Sequence, residues 1–212
     1  WLDRYWPDGV TPLKVRRSGD TADHPMTEGM ARGFRTEEIE PDEAMRARAA
    51  YFACVSYLDE LIGDFLATLE HAGLLENTIV VYTSDHGELV GEHGMWWKNS
   101  WHDAASRVPW LIQLPQHRSG ELGPAVLNTP VTLADLYPTL CGFAGATPPA
   151  DLDGIDLSAA IRAGTEPERG PAWFTNPTPR WGEGTEHVAV RDGDWKYVRF
   201  RAAEPDLLFN LA

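Results

Sequence analysis

Apolar residues in the first half of the chain recur with the period of an amphipathic helix. Between residues 51 and 69 they are spaced three or four positions apart, at Tyr51, Cys54, Val55, Leu58, Leu61, Ile62, Phe65 and Leu69. Proline and acidic residues at Pro41–Glu43 are typical of a helix start, and Gly73 is typical of a helix end. This pattern predicts one long helix with an apolar stripe that packs on a core.

The pattern changes to short β-branched runs after this helix. Ile79–Tyr82 predicts a strand buried on both faces, and Val108–Leu114 predicts a second buried strand, with Pro109 near its start. Helix, short loop and strand form half of a βαβ unit. Residues 101–107 can form a helical turn, residues 116–128 read as a loop, and a helix over about 131–143 would be kinked or restarted at Pro138. The pattern favours an α/β fold.

Composition shifts after residue 145, where prolines and glycines become frequent. A short helix is predicted at Leu157–Ala163. Two runs of period two, His187–Arg191 and Trp195–Phe200, flank Asp192–Asp194 and predict a hairpin. We therefore expect a main domain over residues 1–145 and a small antiparallel subdomain over 146–212. Residues 1–40 read as an irregular surface segment.

Charge and cysteine content narrow the possible classes of protein. The 212 residues carry a net charge of -14, which disfavours binding to nucleic acid or to an anionic membrane surface. No apolar run approaches the roughly 20 residues that span a bilayer. Cys54 and Cys141 lie far apart, so we interpret both as buried structural thiols.

The candidate chemistry lies directly after the first predicted strand, at Asp85-His86-Gly87. Ligands of open α/β sheets bind at the carboxyl ends of strands, and an adjacent carboxylate and imidazole can share one divalent cation. The alternative is that Asp85 caps a turn and His86 is only hydrogen-bonded. Lys98 follows 13 positions after Asp85, close enough for a glycine-rich loop to bring its ammonium back to an anion site. Tryptophans between residues 96 and 110 could wall a pocket or belong to the core.

Taken together and in order, these motifs resemble the carboxyl-terminal half of a sulfatase of the alkaline phosphatase superfamily. The resemblance covers about residues 41–212. Its motifs are Asp59 within the long helix, Asn77–Glu88, Gly91–Gly94, Trp97-Lys98, Ser106–Pro109, Asp135–Leu140, Asp153-Gly154 and Asp194–Tyr197.

The resemblance implies part of an alkaline-phosphatase-like α/β/α sandwich with a small antiparallel subdomain, and hydrolysis of a small-molecule or saccharide sulfate ester. It implies that Asp85 and His86 bind a divalent metal ion, commonly Ca²⁺ in this family, with Mn²⁺ and Zn²⁺ as alternatives. It also implies that Lys98 contacts the sulfate. These roles suit the chemistry, because sulfate ester cleavage builds negative charge that a cation and a lysine would stabilise. Arg107 is interpreted as structural.

The chain departs from the family at the nucleophile. Sulfatases form a formylglycine within Cys/Ser-x-Pro-x-Arg, and no such motif occurs here; the nearest match, Thr175–Arg180, has its arginine one position late. We therefore expect the nucleophile and the other metal ligands upstream of Trp1, and we expect the 212-residue chain alone to be an inactive fragment. Neither His93 nor His102 lies in a ligand motif.

Two other functions stay open. One is a phosphodiesterase or phosphonate monoester hydrolase of the same superfamily, and the other is a non-catalytic truncated paralogue. Cellular compartment and oligomeric state are not determined by the sequence.

Overall fold

The computed structural model describes residues 1–11, 13, 24–35, 38–202 and 205–212. The chain forms two compact units, each treated separately below. The first unit comprises Trp1–Pro115 with Pro179–Thr185, and the second comprises Gln116–Thr178 with Glu186–Ala212. These bounds differ from 1–145 and 146–212, and the predicted domain organisation stays a prediction.

Seven helices and six strands are found in the described part of the chain. The helices are α1 (Leu2–Tyr5), α2 (Pro25–Phe34), α3 (Pro41–His71), α4 (Asp103–Ser106), α5 (Pro115–Ser119), α6 (Leu136–Ala144) and α7 (Ser158–Ala163). The strands are β1 (Val80–Thr83), β2 (Trp110–Gln113), β3 (Ala172–Asn176), β4 (His187–Asp192), β5 (Trp195–Phe200) and β6 (Leu207–Asn210). Short 3₁₀ turns occupy Leu75–Asn77, Glu92–Gly94 and Leu133–Asp135. No described helix combines the length and the apolar character that crossing a membrane requires.

Helix α3 begins and ends where its sequence predicts. Pro41 lies in the first turn, and the Glu40 backbone N–H donates to the Glu43 carboxylate at 3.2 Å. Gly73 follows the helix with φ +67°, a left-handed conformation that glycine adopts without steric cost. These local signals are sufficient to fix both ends.

The apolar stripe of α3 is not the core face that its period predicts. Leu58, Leu61 and Phe65 are exposed, Phe65 to 62% of its side-chain maximum. The buried positions of α3 are Arg48, Ala49 and Ala53. Helix α1 packs against the middle of α3, where the Tyr5 hydroxyl lies 2.5 Å from Ser56 Oγ. The spacing of apolar residues therefore predicted the helix correctly, but it did not predict which side of the helix is buried.

The prediction of an irregular segment over residues 1–40 is wrong for its described part, because α2 is a buried helix. His24 caps it by accepting the Met26 N–H at 3.2 Å, and Met26 and Met30 are fully buried. Close packing requires glycine at positions 29 and 33 of this helix. A Cβ at Gly29 would lie 1.8 Å from the Trp181 carbonyl oxygen, and one at Gly33 would lie 2.9 Å from the Trp181 ring. The remainder, residues 12, 14–23, 36 and 37, lies outside the described residues.

Strands β1 and β2 pair antiparallel, with Val80 opposite Gln113 and Thr83 opposite Trp110. In the described part of the chain this sheet has two strands. The prediction that both strands are buried is therefore wrong here: β1 is half-buried, and Leu111 of β2 is 63% exposed. A two-stranded sheet leaves apolar side chains uncovered where a wider sheet with helices on both faces would cover them.

The second unit contains the predicted antiparallel layer as a four-stranded sheet in the order β3-β4-β5-β6. The predicted hairpin is confirmed as β4 and β5, joined through Gly193 with φ +51°. Strand β5 alternates strictly, with Lys196, Val198 and Phe200 buried. The Lys196 ammonium lies over the Phe209 ring, 5.2 Å from its centroid.

Three smaller expectations need correction. The predicted helix over about 131–143 is restarted rather than kinked: a 3₁₀ turn at Leu133–Asp135 precedes α6, and Pro138 lies in the first turn of α6, where a missing N–H is not needed. Helix α5 occupies the start of the predicted loop over 116–128. Cys54 is exposed rather than buried, and both Cys54 and Cys141 are free thiols.

Candidate active site at the end of strand β1

Asp85 and His86 leave the end of β1 in a tight local network. The Asp85 carboxylate accepts the His86 backbone N–H at 3.0 Å. Ser84 Oγ donates to the His86 carbonyl at 2.8 Å. These bonds fix the turn that follows the strand, and they leave the Asp85 side chain 82% exposed.

The His86 ring is oriented by a backbone carbonyl. Nδ1 lies 2.7 Å from the Gly87 carbonyl oxygen, and a carbonyl can only accept, so Nδ1 carries the proton. Nε2 then presents a lone pair. Metal-binding histidines are commonly held by such a bond from the other ring nitrogen.

Two side chains approach His86 Nε2. The Lys98 ammonium lies 2.5 Å from this nitrogen, and Asp85 Oδ2 lies 3.4 Å from it. The sequence predicted this proximity for Lys98 from loop length alone. The structure brings all three predicted site residues together; their roles are taken up below as a proposal.

Hydrogen bonds across the loop return Lys98 to the strand end. The Leu89 N–H donates to the Trp97 carbonyl at 2.9 Å, and the Gly91 N–H donates to the Met95 carbonyl at 2.8 Å. The Glu88 carboxylate accepts the backbone N–H groups of Val90 and Trp97. The loop is therefore closed at its base, directly before Lys98.

Electrostatics favour the charged form of Asp85. Partial desolvation acts to raise its pKa, but attraction to His86, backbone N–H hydrogen bonds and the Lys98 ammonium outweigh it and hold the pKa below its ordinary value. A lowered pKa keeps the carboxylate ionised at neutral pH. Asp85 is thus available as an anionic oxygen donor.

Close packing, and not only a sharp turn of the chain, requires glycine at position 87. Its N–H donates to the Ala105 carbonyl at 2.8 Å, and a Cβ here would lie 2.1 Å from the Ala104 carbonyl oxygen. Glycine is needed so that the backbone of α4 can approach. This contact places α4 against the turn that carries His86.

Sequence reasoning missed Arg48, whose side chain is buried against the loop. Its guanidinium donates to the Val90 carbonyl at 2.9 Å and the Thr11 carbonyl at 3.0 Å, and it lies 3.3 Å from the Glu92 carboxylate. Arg48 lies off the apolar stripe of α3, where a charged side chain is expected to face solvent. Val90 lies 42 positions away, so no local pattern could have found this contact.

The remaining candidates of the sequence lie in the packing around the loop. His93 and His102 stack with ring centroids 3.8 Å apart, and His102 is buried. Of the tryptophans between residues 96 and 110, Trp101 is fully buried in the core, whereas Trp97 is 55% exposed. Arg107 is exposed after α4.

The donor chemistry of Asp85 and His86 fits part of a divalent cation site. A carboxylate oxygen and an imidazole nitrogen are both common metal donors. Among the described residues, no group of three His, Cys, Asp or Glu side chains could hold a metal ion. The pair would therefore supply two ligands of such a site, and further donors would be needed to complete the shell.

Comparison with known proteins agrees with the fold. The family model for sulfatases matches residues 14–146. A choline-sulfatase of Rhizobium meliloti is 32% identical over 181 residues, covering 84% of this chain and 33% of that protein. Arylsulfatase K of Danio rerio is 32% identical over 224 residues, covering 100% of this chain and 40% of that protein. The chain thus spans between a third and two fifths of these relatives.

Solved structures give the same result. A phosphonate monoester hydrolase from Silicibacter pomeroyi has a TM-score of 0.78 at 25% identity, covering 99% of this chain and 46% of that one. The structure of BT4656 in complex with its substrate D-glucosamine-2-N,6-O-disulfate has a TM-score of 0.68 at 26% identity, covering 85% of this chain and 38% of that one. These likenesses confirm the predicted alkaline-phosphatase-like α/β fold class. The chain belongs to the sulfatase family.

Proposed function

We propose that the protein to which this chain belongs is a sulfuric ester hydrolase, acting on a small-molecule or saccharide sulfate ester. The observation that carries the proposal is that the Lys98 ammonium and the Asp85 carboxylate both lie beside one atom, His86 Nε2, at 2.5 and 3.4 Å. Membership of the sulfatase family supports the same reaction class.

The charges of the site suit the reaction. Cleavage of a sulfate ester places growing negative charge on the sulfate oxygens and on the leaving oxygen. Lys98 supplies a compact positive charge beside His86, where it can contact an anionic oxygen. Its contribution is to bind and orient the sulfate group and to stabilise charge in the transition state.

Asp85 and His86 would hold a divalent cation in this proposal. Ca²⁺ is the ion commonly found in the family and suits the carboxylate, as Mn²⁺ does, whereas the imidazole nitrogen favours Zn²⁺. A bound cation would polarise the sulfate oxygens as a Lewis acid. The Gly87 carbonyl keeps the His86 lone pair directed at the site.

A nucleophile is also required, and we place it in sequence upstream of Trp1, as a formylglycine. The chain spans only 33–40% of two of its relatives, which leaves room for such a segment. The 212-residue chain alone would then not turn over substrate.

A second function, phosphonate monoester hydrolysis, is favoured by one observation. The structural likeness with a TM-score of 0.78 is to a protein of that name, and it covers 99% of this chain. Sulfate and phosphonate monoesters both present anionic oxygens to a cation and a lysine. The geometry of Asp85, His86 and Lys98 is compatible with either.

The test is an activity assay of the protein with its upstream sequence included, alongside the 212-residue chain. We expect hydrolysis of 4-nitrophenyl sulfate by the longer protein, loss of that activity in His86→Ala and Lys98→Ala, and no activity of the chain alone. Arg46→Ala, an exposed position of α3, is the control that should keep activity. Faster hydrolysis of phenylphosphonate monoesters than of sulfates would assign the second function, and full activity of Lys98→Ala would contradict the proposed site.

A further inference from the structure

Residues 179–185 are separated from the active-site loop in sequence but pack within the first unit. Trp181 anchors this segment. It is 7% exposed, it packs against Gly29 and Gly33 of α2, and its indole N–H donates to the Asn99 carbonyl at 3.1 Å. The segment is thus fixed directly beside the loop that carries Lys98.

Arg180 lies between two indole rings at this point. Its guanidinium carbon is 5.7 Å from the Trp97 ring centroid and 5.2 Å from the Trp181 ring centroid. Arg180 and Trp97 are both exposed. Among the described residues, Arg180 forms no ion pair.

The segment contacts both neighbours of Lys98. Arg180 stacks on Trp97, and Trp181 bonds to Asn99. These two neighbours have φ values of +69° and +68°, in the left-handed region that non-glycine residues rarely adopt. Strained backbone of this kind persists only where surrounding contacts enforce it, and it is concentrated at functional sites.

We propose that Arg180 is a specificity-determining residue that binds a second anionic group of the substrate, a carboxylate or an additional sulfate on the leaving group. This inference rests on the proposed function, because it takes Lys98 as the contact for the sulfate that is cleaved. Arg180 has no part in the formylglycine motif that Thr175–Arg180 superficially resembles.

The chemistry of a stacked guanidinium supports this role. Contact with the faces of Trp97 and Trp181 restricts the guanidinium group, and none of its N–H donors is used in an ion pair within the described residues. Such a fork can donate two parallel hydrogen bonds to a carboxylate or sulfate. The Trp97 face beside it would contact the apolar or ring part of the same ligand.

The test compares two ligands that differ by one carboxylate. Phenyl sulfate and 4-carboxyphenyl sulfate are titrated into the 212-residue chain, and their dissociation constants are measured from chemical-shift changes in ¹⁵N–¹H NMR spectra. A charge-assisted, bidentate contact should make the carboxylated ester bind about tenfold more tightly. Arg180→Ala should reduce this preference to near one, Arg180→Lys should retain part of it, and the control Arg46→Ala should retain all of it.

Lys98→Ala separates this inference from the proposed function. We expect it to weaken both ligands by a similar factor and to leave their ratio unchanged. Equal affinity of the wild-type chain for the two esters, with Lys98→Ala still weakening both, would overturn the role of Arg180 alone. Absence of binding, or affinities that Lys98→Ala does not change, would contradict the proposed sulfate site and the inference together. The spectra of each variant also report whether it is folded.

Discussion

The two units of this chain bury their apolar residues to different extents. In the second unit, β5 alternates cleanly between exposed and buried positions, and Val198 and Phe200 are buried on one face of a four-stranded sheet. In the first unit, β1 pairs with β2 alone among the described residues, and the apolar stripe of α3 stays exposed at Leu58, Leu61 and Phe65. A local antiparallel sheet can be completed by neighbouring sequence. A strand and a helix of an α/β layer need partners from distant parts of a chain.

Loss of a buried ion pair in the second unit should reduce the stability of the chain the most. Asp135 of the second unit is fully buried and paired with Arg169, whose Nε lies 2.9 Å from its carboxylate. The same carboxylate accepts the N–H groups of Thr132 and Ile155. Asp135→Ala leaves a buried guanidinium without its partner and should destabilise the chain by about 3–5 kcal/mol.

Urea denaturation measures this change in the free energy of unfolding. The exposed Asp151→Ala is the matched control and should alter that free energy by less than about 0.5 kcal/mol. A small effect of Asp135→Ala would show that the second unit does not depend on its buried ion pair.

Arg48 tests the contacts that hold the loop of the first unit. Arg48→Ala removes a buried guanidinium from two backbone carbonyls and from Glu92, and should cost about 2–3 kcal/mol. We also expect faster amide hydrogen exchange over the loop that follows Gly87. Arg46→Ala, an exposed arginine on the same helix, should change neither quantity. Unaltered exchange in Arg48→Ala would show that the loop keeps its conformation without this anchor.

Two substitutions of apolar residues, one in each unit, compare how much each unit gains from burial. Val198→Ala removes methyl groups from a fully buried position of β5 and should cost about 2 kcal/mol. Phe65→Ala removes a larger side chain from α3, yet Phe65 is 62% exposed, and the cost in this chain should stay below about 1 kcal/mol. Thermal denaturation of both variants shows which of them loses more stability. A greater loss from Phe65→Ala would mean that the stripe of α3 is covered in solution.

The smallest effect concerns Glu166, an exposed carboxylate that accepts N–H groups of Asn128 and Thr129 at 2.8 and 2.9 Å. The Asn128 backbone N–H, with the Thr129 hydroxyl and N–H, lowers the pKa of Glu166 from 4.5 to about 2. A lowered pKa in the folded state means that the stabilisation is complete above the ordinary pKa of 4.5 and is lost as the pH falls towards 2. Glu166→Gln should therefore remove the loss of folding stability that Glu166 causes between pH 4.5 and about 2. The control variant Glu168→Gln should keep this loss. If the free energy of unfolding of wild type and of Glu166→Gln depends on pH in the same way between 4.5 and about 2, this prediction is wrong.

Local sequence signals correctly predicted the helix ends and turns that depend on interactions between neighbouring residues. Pro41 and Gly73 define the ends of α3, and the turn at Gly193 with its alternating flanks defines the β4–β5 hairpin. The proximity of Lys98 to Asp85 also followed from a short, glycine-rich loop.

Features that depend on distant contacts could not be predicted in the same way. Residues 1–40 read as an irregular segment, and helix α2 within them packs through Gly29 and Gly33 on Trp181, which lies far along the chain. The burial of Arg48 likewise depends on a loop 42 positions later. The side on which α3 packs depends on partners, and period alone does not identify them.

The central claim is that Asp85, His86 and Lys98 form one site that accepts a divalent cation. Mn²⁺ added in substoichiometric amounts to the ¹⁵N-labelled chain tests it most directly, because paramagnetic broadening reveals even weak binding. We predict selective broadening of resonances from Ser84–Gly87 and Lys98, persistence of this broadening in Lys98→Ala, and its loss in the double variant Asp85→Ala/His86→Ala. Broadening centred on other acidic residues, or unchanged in the double variant, would contradict the claim.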